Sequence, residues 1–221
     1  MTKVKICGVR SPENALMVAR AGADLIGLNF YPKTPRYVQP AHARDIAMTL
    51  RDALGEDCPT LVGVFVNTTS DEVRQIAEQV GLDFAQLSGD ETVRTVQSLS
   101  GIAFKAIRPV DEADAMASVE RFAALFPIDV SAPSLLLDAF NPKLYGGTGE
   151  TASETVALAV KAAVPRLMLA GGLTPENVGE RVRSIKPWAV DVASGVEDGR
   201  PGIKDESRAR GFIEAVRAVG T

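Results

Sequence analysis

Eight times along this chain, a short apolar run rich in β-branched residues is followed by a stretch of helical periodicity. The apolar runs predict strands over Val4–Gly8, Asp24–Phe30, Thr60–Asn67, Phe84–Gly89, Ala103–Pro109, Ser134–Ala139, Arg166–Gly172 and Ala189–Gly195. The periodic stretches predict helices over Pro12–Ala21, Ala41–Leu54, Asp71–Val80, Glu91–Leu99, Glu112–Phe126, Glu154–Val164, Pro175–Ile185 and Glu206–Val219. Ser11-Pro12, Ser70-Asp71 and Thr174-Pro175-Glu176 read as helix starts, and Gly22, Gly55, Gly81 and Gly101 as helix stops. Strict alternation of strand and helix calls for parallel strands joined by right-handed crossovers. The run Leu61-Val62-Gly63-Val64-Phe65-Val66 is continuously apolar, as a parallel strand covered by helices should be.

Eight units in 221 residues leave about 28 residues for each, enough for one crossover. The count suggests an α/β protein folded as one closed (β/α)8 TIM barrel over residues 1–221, slightly under the usual size of about 250 residues. An open doubly wound sheet is the other architecture for such alternation, but no Gly-x-Gly-x-x-Gly turn follows the first strand. No linker divides the chain; its least regular stretches are Pro32–Pro40, Pro127–Pro133 and Asn141–Thr151.

Composition narrows the function. A net charge of −4 argues against a nucleic-acid binder, which would carry a basic patch. Cys7 and Cys58 are too few for a disulfide scaffold or a four-thiolate zinc site, and one histidine, His42, cannot supply a histidine metal cage. No metal or organic cofactor is indicated. The start, Met-Thr-Lys-Val-Lys-Ile-Cys, shows no charged segment leading into a long apolar one, so the expectation is a chain without signal peptide or membrane span, working in a reducing cytoplasm.

In a barrel of this kind chemistry collects where the strands end. Here the apolar runs stop in Cys7-Gly8, Asn29, Asn67, Ser88-Gly89, Arg108, Asp138, Gly171-Gly172 and Ser194-Gly195, which describes a lined pocket. The last two pairs follow adjacent strands. Glycine lets backbone N–H groups approach an anion closely, and the loops after strands seven and eight form the usual barrel phosphate site, so Gly171, Gly172, Ser194 and Gly195 are candidate phosphate ligands. Read singly, each pair is equally an ordinary turn.

Alternation along the first strand points Lys3, Lys5 and Cys7 to one face and Val4 and Ile6 to the other. Lys5, one step deeper than Cys7, is expected to lower the thiol pKa from its free value of about 8.5, making Cys7 a candidate base or nucleophile; a small buried hydrophobe is the plain alternative. Cys58, before the third strand, reads as structural. Asp138 ends the apolar run Leu135-Leu136-Leu137, where desolvation would raise its pKa toward that of a proton donor, unless it is salt-bridged or caps a helix. Arg36, on a loop over the same rim, could hold a carboxylate bidentately or be a solvated loop residue. Asp191, inside the eighth strand, has Lys5 or Lys105 as a natural partner. Lys5, Arg36 and Asp191 are the candidate substrate-binding residues. His42 and the charge-rich stretch Asp198–Arg210 read as surface, and Trp188 as packing.

Taken in order, Lys5-Ile6-Cys7-Gly8, Gly27-Leu28-Asn29-Phe30, Thr34-Pro35-Arg36, Val64-Phe65-Val66-Asn67, Leu137-Asp138, Gly147-Thr148-Gly149, Leu169 to Val178 and Val190 to Glu197 resemble the phosphoribosylanthranilate isomerases of tryptophan biosynthesis, over nearly the whole chain. The resemblance implies a cofactor-free Amadori rearrangement of N-(5-phosphoribosyl)anthranilate to 1-(2-carboxyphenylamino)-1-deoxyribulose 5-phosphate. It makes Asp138 the general acid toward the ribose ring oxygen and Cys7 the base that removes the C2 proton. Arg36 would bind the anthranilate carboxylate, and Gly171, Gly172, Ser194 and Gly195 the phosphate. The implied partner is a small phosphosugar, with no nucleic acid or membrane, in a monomer or homodimer. Two positions depart from the pattern. Ser88 stands where the family commonly has His, and Glu150 to Glu154 replaces a Phe-Asp-Trp-like segment. Other readings are another phosphosugar barrel enzyme, such as an indole-3-glycerol-phosphate synthase using Lys105 or a ribulose-phosphate epimerase, or a phosphate-ligand-binding barrel without activity. The epimerase lacks its histidines here, and a mere binder needs neither Cys7 nor Asp138.

Overall fold

The computed structural model describes residues 1–138 and 153–219. Eight strands, β1 (Lys3–Cys7), β2 (Leu25–Asn29), β3 (Thr60–Phe65), β4 (Phe84–Leu87), β5 (Ala103–Ile107), β6 (Leu135–Leu137), β7 (Leu167–Leu169) and β8 (Ala189–Val192), pair in parallel, each with the next, and β8 pairs with β1. The sheet is a closed barrel in sequence order, as the eightfold repetition predicts. Outside it lie α1 (Pro12–Arg20), α2 (Pro40–Leu54), α3 (Ser70–Val80), α4 (Val93–Ser98), α5 (Glu112–Phe122), α6 (Glu154–Ala163), α7 (Val178–Ile185) and α8 (Glu206–Arg217). Among the described residues no helix is long and apolar enough to cross a membrane.

Local chemistry sets the helix limits. Ser11 accepts from the Asn14 N–H at 3.3 Å and Pro12 follows it, opening α1. Gly81, at φ +76°, ends α3 in the left-handed conformation a glycine adopts without steric penalty. Helix α2 starts at Pro40, one residue before the expected Ala41, and three other starts also differ from expectation. Thr69, not Ser70, caps α3, accepting from the Glu72 N–H. Helix α4 begins at Val93 rather than Glu91, because the Glu91 carboxylate accepts from the Asn67 and Gly89 N–H groups of two loops. Helix α7 begins at Val178 rather than Pro175, because Asn177 turns back to accept from the Thr174 N–H and donate to the Gly172 carbonyl. The strands are also shorter at their ends than the apolar runs, since the terminal residues leave the ladder to form the rim.

Two apolar layers result. Residues such as Val4, Ile6, Ile26, Leu61, Leu137 and Val190 face outward and meet the helices through Val18, Ile46, Val73, Val160 and Phe212. The alternate residues Leu25, Val62, Phe84, Phe104, Leu136 and Met168 fill the interior, with Trp188 closing one end. Lys3 lies over the Trp188 ring, 4.7 Å from its centroid. Arg217 of α8 donates to the Thr2 carbonyl at 2.8 Å and pairs with Asp24 at 2.7 Å, tying the last helix across the β1–β2 edge.

Phe104 lies in the interior and is 1% exposed. Phe104→Ala is expected to lower unfolding stability by about 3–5 kcal/mol, read as a shifted denaturant midpoint, because the ring of strands cannot collapse around the void. A loss below about 1 kcal/mol would mean that the interior is not packed as described.

Candidate active site

One cavity opens at the C-terminal rim. Cys7, Asn29, Arg36, Ser88, Arg108, Asp138, Gly171, Gly172, Asp191 and Ser194 all line it. The barrel thus brings together residues from all parts of the chain. Cys7 ends β1, and Asp138 follows β6, which is three strands away around the ring. Gly171, Gly172 and Ser194 sit at the ends of β7 and β8. Gly171 and Gly172 have φ of +92° and +57°, a backbone shape that favours glycine. Gly195 does not line the cavity itself. A Cβ there would lie 2.0 Å from the Leu173 carbonyl oxygen, so its glycine lets the β7 and β8 loops pack together. The loop at Gly146–Gly149 and the segment through Ala152 lie outside the described residues.

The cavity floor is charged. Lys5 is fully buried and does not reach the cavity surface. Its ammonium donates to Gln86 Oε1 at 2.9 Å and Asp191 Oδ1 at 3.0 Å, and Gln86 Nε2 donates to Ser88 Oγ at 3.0 Å. This chain crosses the interior from β8 to β4 beneath Cys7. Of the two partners considered for Asp191, Lys5 is the one in place. Lys105 instead pairs with Glu91 at 3.0 Å and donates to the carbonyls of Leu87, Gly89 and Ala106.

Burial alone would depress the Lys5 ammonium, but Asp191, with Cys7 adding, outweighs it and holds its pKa above the usual lysine value. For Cys7 the expected direction is reversed. Burial raises the thiol pKa more than Lys5 and Lys204 lower it, and Asp191 adds to the rise. Lys5 is a weaker helper than its proximity suggests because Asp191 already answers its charge. Gly27, alongside on β2, makes room for the thiol: a Cβ there would sit 2.7 Å from Cys7 Sγ.

Arg36 arrives from the β2–α2 loop. Its stem lies across the end of β1, where a Cβ at Gly8 would come within 2.6 Å of Arg36 Cδ. Its guanidinium is held bidentately by Glu197, with Nε–Oε1 at 2.8 Å and Nη2–Oε2 at 2.7 Å. Glu197 Oε1 also accepts from the Gly202 N–H at 2.8 Å and from Lys204 Nζ at 2.9 Å. Burial would raise the Glu197 carboxyl, but Arg36, Lys204 and the Gly202 amide outweigh it and keep its pKa below the usual carboxylate value. Lys204 is therefore buried, not on a solvated face as the charge-rich stretch Asp198–Arg210 suggested. The signal was present: Glu197 and Lys204 flank a turn with Gly199, Pro201 and Gly202, and their backbones pair antiparallel. Among the described residues no group of three or more His, Cys, Asp or Glu side chains could hold a metal. Cys58 is half-buried with its thiol directed to the Pro59 carbonyl, and His42 is exposed on the Arg10 carbonyl.

Residues 4–215 match the family model for N-(5'phosphoribosyl)anthranilate (PRA) isomerase. The chain belongs to this isomerase family. An N-(5'-phosphoribosyl)anthranilate isomerase of Roseiflexus castenholzii is 44% identical over 219 residues, covering 98% of both chains. That of Trichlorobacter lovleyi is 40% identical over 214 residues, covering 96% of this chain and 97% of its own. The crystal structure of phosphoribosyl anthranilate isomerase from Thermotoga maritima superposes with a TM-score of 0.85 at 33% identity, covering 99% of this chain and all of that one. Another structure of the family, in complex with reduced 1-(o-carboxyphenylamino)-1-deoxyribulose 5-phosphate, gives 0.82 at 32% identity with the same coverage. These isomerases share the closed barrel seen here.

Alkylation tests the electrostatics of the site. In a Cys58→Ser chain, iodoacetamide labelling of Cys7 is expected to rise with pH with a midpoint above that of a free thiol, about 8.5. The thiolate is the reactive form, and a raised pKa delays its appearance. A midpoint below about 8 would show that Lys5, not burial, governs the thiol.

Proposed function

We propose that the chain catalyses the Amadori rearrangement of N-(5-phosphoribosyl)anthranilate to 1-(2-carboxyphenylamino)-1-deoxyribulose 5-phosphate, a step of tryptophan biosynthesis. Membership of the isomerase family over nearly the full length supports the reaction. The observation that carries the assignment of residues is that Cys7 and Asp138 line one cavity from nearly opposite strands.

In this reading the phosphate rests on the backbone N–H groups around Gly171, Gly172, Ser194 and Gly195, and the anthranilate carboxylate on Arg36. Asp138 donates a proton to the ribose ring oxygen as its bond to C1 breaks, and the nitrogen lone pair forms the C1 iminium. Cys7 takes the C2 proton through its thiolate, the minor form below its raised pKa, and the C2–H electrons flow toward the iminium to give an enolamine. Tautomerisation, with a proton returned to C1, yields the C2 ketone. No electron leaves the substrate, so the chemistry needs only an acid and a base placed on either side of it. Lys5 and Asp191 act from beneath: their neutral pair underlies the thiol without adding net charge to the floor. The reaction depends on a free thiol, which fits a reducing compartment, and the cytoplasm is the proposed location. The Thermotoga protein is described as dimeric in a study of monomers generated from it, and the present chain is taken to act as a monomer or homodimer.

Two substitutions test the roles. Cys7→Ala and Asp138→Asn are each expected to cut kcat by at least ~100-fold, the usual scale for losing one proton-transfer group. Product affinity should stay within about threefold, since neither group is read as a main binding contact. The fluorescence of phosphoribosylanthranilate generated in situ gives the rate. Turnover near the unsubstituted level in either variant would remove that residue from the mechanism.

A further inference from the structure

We infer that Glu197, with Lys204 behind it, is a positioning residue that turns Arg36 into a carboxylate-selective donor. The inference rests on the reading of Arg36 as the anthranilate carboxylate site. A guanidinium offers two bidentate edges. Glu197 occupies the one formed by Nε and Nη2, and Nη1 donates to nothing among the described residues. The edge formed by Nη1 and Nη2 therefore keeps N–H groups for a second carboxylate, in a cavity that Arg36 lines.

Charge follows the same logic. Arg36 against Glu197 alone would be a neutral pair with little pull on an anion. Lys204 Nζ lies 2.9 Å from Glu197 Oε1 and donates also to the Ala193 carbonyl; burial lowers the Lys204 pKa and Glu197 opposes the drop, and with Lys204 protonated the cluster carries two cations and one carboxylate. Glu197 and Lys204 are 8% and 4% exposed. The surplus positive charge is thus poorly screened by water and is presented through Arg36, the member of the cluster that lines the cavity. Glu197 fixes direction and Lys204 preserves charge.

The test compares two substrates that differ only in the carboxylate: the phosphoribosyl adducts of anthranilate and of aniline. The readout is the ratio of their kcat/KM values. A merely structural defect lowers both and leaves the ratio intact. Arg36→Met is expected to abolish most of the preference for the anthranilate adduct. Glu197→Gln is expected to lower it about tenfold, through KM, on the scale of one charge-assisted hydrogen bond. Lys204→Met is expected to lower it as well by neutralising the cluster, and it carries the test if Glu197→Gln does not fold. Loss of preference in Arg36→Met with the full ratio kept in Glu197→Gln and Lys204→Met overturns the inference and leaves the Arg36 reading standing. An intact ratio in Arg36→Met overturns both.

Discussion

Closing eight parallel strands into a ring forces every second side chain into one small interior, and the site follows from how that space is filled. Phe84, Phe104, Leu136 and Met168 pack part of it with apolar volume. Next comes a polar cluster: Lys5 held between Gln86 and Asp191. A fully buried ammonium without partners would be far too costly to keep, whereas a paired and hydrogen-bonded one is tolerated. Above this cluster the same alternation delivers Cys7 and Ser88 to the cavity. The registers Lys5↔Asp191 and Val64↔Gln86 align the strands that carry the polar floor, so the groups at the rim inherit their positions from it.

The fold was legible because its signal is repetitive and local. Strand and helix alternate eight times, and the caps at Ser11 and Gly81 lie beside the elements they bound. The rim was legible too, since apolar strands that end in cysteine, aspartate or paired glycines stand out against their own runs. Relations between distant residues were not. Arg36 and Glu197 are 161 residues apart in the chain, and nothing in either segment names the other. The sign of the effect on Cys7 was missed for a similar reason. Spacing on one strand revealed Lys5, while the Asp191 that answers its charge comes from β8, 186 residues on. Helices α4 and α7 start late because Glu91 and Asn177 look like first-turn residues but spend their side chains on neighbouring loops.

Position 88 shows how the site accommodates a departure from the family pattern. Where the resemblance led one to expect histidine, the Ser88 hydroxyl accepts from Gln86. It thereby extends the polar chain that begins at Asp191 and keeps a hydrogen-bonding group at the cavity wall. Cys7 and Asp138, the proposed base and acid, come from other strands, β1 and the end of β6. The substitution is thus absorbed within β4 and its loop.

The pairing of β8 with β1, and the contact of Arg217 with Thr2 and Asp24, join the two ends of the chain. The aspartate that answers Lys5 comes from β8, the last strand of the described barrel, while the lysine lies on the first. Without that aspartate the ammonium would have no carboxylate to answer its charge, and leaving water would be costly. Closing the ring between β8 and β1 and taking Lys5 out of water are thus a single requirement, because the ammonium is answered only where the two strands meet.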